Sequence, residues 1–122
     1  MKVVRVKPLE KAEIVEIEEG LKSYQKEVDG YIEACYPWLE EVAIICNEAG
    51  KFNGSSPNRA LYRDGEIYDI VFGTFLVVGC GEEDFRSLTN EEAERFRDMF
   101  LCPETFFRTV NGKIISIKTT SY

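Results

Sequence analysis

The chain has 122 residues, 44% of them hydrophobic and 12% aromatic, with 15 basic and 22 acidic side chains, a formal net charge of −7 and a pI of about 4.7. That length fits one domain burying roughly two-thirds of its unfolded surface, enough for a core without staples, and the composition excludes disordered, solenoid and coiled-coil classes. The acid excess opposes general nucleic-acid binding, which needs clustered Lys and Arg to release counterions.

In chain order, Met1 to Val6 and Ala12 to Glu18 are β-branched runs about "KPLEK", which predicts a first hairpin. Leu21, Tyr24 and Val28 share one helical face between Gly20 and Gly30, predicting a short helix stopped by glycine. Tyr31 to Tyr36 and Glu41 to Cys46 predict a second hairpin around "PWLEE". The next stretch, "NEAGKFNGSSPNRAL" from Asn47 to Leu61, reads as a long polar loop. In "RDGEIYDIVFGTFLVVGCG", Asp64-Gly65 is a turn signal, Phe75 to Val78 should form a central strand, and Gly73 marks a bulge or close backbone approach. Thr89 and Glu92 form a capping box that starts a second helix, with Ala93, Phe96, Met99 and Phe100 on its apolar face, Glu91 and Arg95 at pairing distance, and Pro103 ending it. Asn111-Gly112 in "TFFRTVNGKIISIKTTSY" predicts a terminal hairpin, free to extend its own sheet or to reach a second subunit, so a homo-oligomer is expected. The sum is a single α+β domain over residues 1–122, mainly an antiparallel sheet with two helices on one face and a C-terminal β-hairpin spanning residues 104–122.

Several chemistries drop out. No histidine occurs, which removes the usual general base, the commonest metal ligand and every Ser-His or Cys-His nucleophile pair. No carboxylate pair is distinguished by its neighbours as an acid–base couple, so a non-enzymatic protein without a cofactor or metal is expected. Cys35, Cys46, Cys80 and Cys102 form no C-x-x-C pair and read as buried free thiols. Gly79-Cys80-Gly81 lacks the third glycine of a dinucleotide fingerprint and runs into Glu82, Glu83 and Asp84, so it reads as a strand exit into a solvated acidic turn. Ile70 to Cys80 is too short to cross a bilayer, and "MKVVRVKPLEKAE" meets Pro8 and charges before a signal core can form, which predicts a cytoplasmic protein without membrane contact.

The order "GYIEACYPW", "VAIICNEAGKFNGSSPNRAL" and "IYDIVFGTFLVVGCGEEDFRSLTNEEAERF" resembles DUF3846, a domain of unknown function found in small proteins of phages and Firmicutes mobile elements. The likeness covers roughly residues 1 to 103, its distinctive parts being the polar loop and "FGTFLVVG"; Ser55 and Ser56 stand where such proteins often carry Leu and Pro. The resemblance implies a small accessory protein, in a host-cell cytoplasm if viral, and assigns no catalytic residue.

One segment stands out by charge. Between Lys51 and Arg63, "KFNGSSPNRALYR" carries three basic residues and no acid within an acidic chain. Gly50 and Gly54 permit close backbone approach, Asn53 and Asn58 offer paired donors and acceptors, and Arg59 can grip a phosphate or carboxylate in a bidentate fork. Asn58 at the cap of a short turn through Ala60 and Leu61 would add free amides. Phe52 and Tyr62 supply rings for stacking, beside Tyr31, Tyr36 and Trp38. The same composition also suits an ordinary connector in which Arg59 pairs with a carboxylate, and no P-loop spacing is present. Two functions are therefore weighed. In the first, Lys51, Phe52, Asn53, Gly54, Asn58, Arg59, Tyr62 and Arg63 hold a small anionic or nucleotide ligand, so that the protein sequesters a host immune signal. In the second, the protein inhibits a host defence or restriction protein through its acidic surface.

Overall fold

The structure, a computed structural model, describes residues 1–119. Apolar side chains pointing to both faces of its central strands organise it. The main sheet has the order β2 (Glu13–Glu16), β1 (Lys2–Val6), β7 (Phe75–Cys80), β4 (Val42–Asn47), β3 (Ile32–Cys35), all antiparallel, and the two-residue β8 (Phe85–Arg86) adds to the end of β7. Both expected N-terminal hairpins form, and Phe75 to Val78 lies at the centre of the sheet, as its unbroken hydrophobicity predicts.

Because successive residues of a strand point to opposite faces, these runs make two cores. Val3, Ala43, Ile45, Leu76 and Val78 pack against Tyr24 and Val28 of α1 (Leu21–Val28). Val4, Val42, Ile44, Phe75 and Val77 pack against Ala93 and Phe96 of α2 (Asn90–Met99) and against Phe100. The α+β class and mainly antiparallel sheet are as expected, but the helices cover opposite faces, not one. A sheet apolar on both sides must be covered on both, so one helix goes to each.

Local signals act as read, with three adjustments. The capping box forms in full, Glu92 N donating to Thr89 Oγ1 at 3.1 Å and Thr89 N to Glu92 Oε1 at 2.9 Å. Arg95, expected to pair with Glu91, instead reaches Glu40 across the fold. Leu21 and Met99, assigned to apolar helix faces, are exposed because each lies at a helix end beyond the sheet's cover. At the end of α1, Asp29 itself takes the left-handed position (φ 59°) ahead of Gly30.

A second layer rests on the α2 side of the sheet. β5 (Pro57–Arg63) and β6 (Glu66–Phe72) form a hairpin whose turn has Asp64 and Gly65 both at positive φ, the type I′ geometry that an Asp-Gly pair favours. Leu61 and Val71 bury into the core shared with α2. β9 (Glu104–Arg108) and β10 (Ile114–Lys118) form the terminal hairpin around Val110-Asn111-Gly112, with Gly112 left-handed. Residues 120–122 of the expected terminal segment lie outside the described residues. The polar loop is shorter than expected. Pro57 begins a strand, and Asn58 sits inside it without capping a helical turn.

Candidate functional site

The basic segment does not survive folding as one surface. Arg59 is fully buried, and each guanidinium nitrogen donates inward: Nε to Phe100 O at 2.9 Å, Nη1 to Asn58 Oδ1 at 2.8 Å, and Nη2 to Glu10 O at 2.6 Å. Burial lowers its pKa, with the buried Glu104 carboxylate opposing that shift. Asn58, also buried, donates from Nδ2 to Val6 O and Gly73 O, tying β5 to β1 and to the β6–β7 connection. These two residues hold three parts of the chain together and lie out of a ligand's reach.

The remaining candidates divide. Asn53 Oδ1 accepts from Ser55 N and Ser55 Oγ, closing its own loop around the left-handed Gly54. Gly50 does permit close approach, but to the protein itself: a Cβ there would stand 2.9 Å from Phe72 O, so only glycine lets the loop lie on β6. Phe52 projects into solvent with 88% exposure. Arg63 stacks over the ring of Tyr68, 4.3 Å from its centroid. Lys51 Nζ pairs with Asp69 Oδ1 at 2.5 Å, which raises the lysine pKa and fixes its direction.

Lys51 and Tyr62 nevertheless meet at a cleft of about 740 Å³ between the β5–β6 hairpin and the terminal hairpin. One wall carries Tyr62, Tyr68, Phe72 and the Lys51–Asp69 pair, the other Lys113 and Ile115. Among the described residues Lys113 has no carboxylate within ion-pair distance. The hairpins are joined at the buried Glu104, whose Oε1 accepts from Ala60 N at 3.2 Å and from Ser116 Oγ at 2.5 Å. This carboxylate spans β5, β9 and β10, and it holds the second wall beside the first.

Tyr68, Phe72 and Lys113 were not candidates from the sequence. The strand character of Glu66–Phe72 could have pointed to the two rings, since its residues must alternate between core and solvent. Nothing local points to Lys113, because its place follows from the packing of two hairpins distant in the chain.

Residues 1–101 match the sequence model of a family described as Domain of unknown function (DUF3846), and the chain belongs to that family. No curated protein and no solved structure matches this chain.

Proposed function

We propose that this DUF3846 protein is a binding module that captures a small anionic ligand bearing a flat ring, a nucleotide by chemical class, in the cleft between β6 and the terminal hairpin. The observation that carries this reading is the meeting of Tyr62, Tyr68 and Phe72 with Lys51 and Lys113 around one space. Rings of this kind hold a base by stacking, worth about 1–3 kcal/mol per base, while lysine ammonium groups serve as point charges for phosphate. A volume of about 740 Å³ suits a ligand of mononucleotide to dinucleotide size. The family resemblance suggests a phage or mobile-element accessory, so the reading extends to withdrawal of a host immune nucleotide signal. A chain without histidine supports capture without turnover.

The test is isothermal titration against cyclic mononucleotides, cyclic dinucleotides and ADP-ribose. One class is expected to bind, with Lys113→Ala and Tyr68→Ala each weakening it about tenfold, or about 1.4 kcal/mol, at unchanged circular dichroism. Absence of binding at tens of micromolar, or binding indifferent to both substitutions, would overturn the proposal.

A second reading, contact inhibition of a host defence protein, draws on a separate observation. On the terminal hairpin Phe107 and Ile117, which share one face by register and do not line the cleft, are 50% and 54% exposed, a short apolar row on a strand surface facing water. Self-association through the same row is the homo-oligomer alternative, and light scattering of the full chain against Phe107→Lys separates a dimer from a face reserved for another protein.

A further inference from the structure

Away from the cleft's rings, the β3–β4 hairpin carries two cysteines on one face of the sheet. In the antiparallel register Cys35 stands opposite Ile44 and Cys46 opposite Glu33, so the thiols are diagonal neighbours on adjacent strands. Both side chains point toward the core shared with α2, Cys46 buried and Cys35 half-buried at its margin. They line one pocket of about 220 Å³, whose rim includes Lys51 and the exposed Phe52. A small polar oxidant can therefore reach Cys35 through the loop, while Cys46 waits behind it.

We propose that Cys35 and Cys46 form a redox-active thiol pair, with Cys35 as the site of attack on a peroxide and Cys46 as the resolving thiol. The Cys35 thiolate attacks one peroxide oxygen, the O–O bond breaks, and hydroxide leaves to become water, so that sulfur is oxidised to a sulfenic acid and peroxide is reduced. The Cys46 sulfur then attacks the Cys35 sulfur, the S–O bond breaks, and the departing hydroxyl takes the Cys46 proton as a second water. The product is a disulfide across the β3–β4 diagonal.

The asymmetry between the two thiols fits this division of roles. Cys35 lies below the ordinary thiol pKa, chiefly through interaction with the neighbouring Cys46 thiol, with Lys51 helping and burial, Glu33 and Asp69 opposing. Cys46 is pushed up by that same interaction and by burial, so it keeps its proton until Cys35 has reacted. Cys80, by contrast, is raised by burial beside Glu41, with Arg86 opposing. The second strand pair therefore offers a nucleophile that Cys80 does not.

This inference is independent of the nucleotide reading, since the chemistry needs only the two thiols and their pocket. Its test uses the full folded chain treated with hydrogen peroxide and then alkylated. Trypsin leaves both cysteines on one peptide, residues 27–51, because no Lys or Arg lies between Lys26 and Lys51. That peptide is expected to lose two hydrogens and to escape alkylation. Cleavage after Glu40 or Glu41 should then leave its halves joined until a reductant is added. In Cys46→Ser, dimedone should label Cys35. In Cys35→Ser, labelling at position 46 should fall at least about tenfold below that. Retained alkylation of both thiols after peroxide, or links predominantly to Cys80, Cys102 or another chain, would overturn the proposal. If either serine variant fails to fold, the wild-type peptide alone decides it.

Discussion

Arg59 Nε donates to the carbonyl oxygen of Phe100 at 2.9 Å, so α2 ends on a buried guanidinium. The helix C-terminus carries partial negative charge and orphan carbonyls, and a cation there satisfies both. The same side chain reaches Glu10 O between β1 and β2, so its loss would free two remote parts of the fold at once. Arg59→Met is expected to cost about 3–5 kcal/mol in urea denaturation. Lysine should rescue little, having one nitrogen for a three-way fork. Arg63→Ala, which removes only a surface stack on Tyr68, should cost about 0.5–1 kcal/mol. Equal costs for the two arginines would refute the assignment of Arg59 to structure.

Glu104 joins the terminal hairpin to β5 through Ala60 N and Ser116 Oγ. Glu104→Ala leaves that buried amide and hydroxyl without an acceptor, a cost of about 1–3 kcal/mol. The damage should be local, since the main sheet does not depend on this carboxylate. Hydrogen exchange is expected to accelerate in β9 and β10 while β4 and β7 keep their protection; uniform acceleration would argue against it.

Acid sensitivity should centre on the start of α2. Arg86 Nη1 donates to Glu92 Oε1 at 2.9 Å, and this interaction, opposed by burial and aided by the Thr89 amide, lowers the Glu92 pKa from 4.5 to about 2. A carboxyl depressed in the folded state binds its proton more readily when unfolded. Its contribution is therefore present above pH 4.5 and is lost as pH falls toward about 2. Glu92→Gln should cost about 1–2 kcal/mol at neutral pH and flatten the acid limb of the stability curve. An unchanged acid limb would place the sensitivity elsewhere.

The two cores lie on opposite faces of one sheet, which makes an additivity test available. Val28→Ala on the α1 side and Phe96→Leu on the α2 side should each cost about 1–3 kcal/mol. Together they should sum to within about 0.5 kcal/mol, since the side chains share no partner. A coupling above about 1 kcal/mol would mean that the sheet transmits strain between its faces.

Much of the fold was readable because its signals are local. Thr89 and Glu92 announce a helix start whatever surrounds them, and Asp64-Gly65 needs only its own backbone to turn. The β-branched valines of β1 and β7 likewise carry their strand character in the side chains. What they do not announce is which faces get covered: Val3 and Val4 read alike, and their separation onto two cores appears only once each helix is placed. Asn58 and Arg59 misled for a related reason. A polar pair beside Pro57 belongs to a loop by composition, and burying it is favourable only because carbonyl oxygens from three distant segments converge on it. The cleft was half legible, Lys51 and Tyr62 being inside the basic stretch, while its opposing lysine depended on the docking of a remote hairpin.

The cleft's two walls also differ in origin along the chain. Residues 1–101 match the family, and they include β5, β6 and the rings they present, whereas Lys113 and Ile115 come from the segment that follows. The wall that the family model covers therefore faces one that lies outside it, and the buried Glu104 carboxylate ties the two together. Under the proposed nucleotide reading, altering the tail alone is expected to change the preferred ligand without rebuilding the scaffold, much as a key blank accepts a new cut.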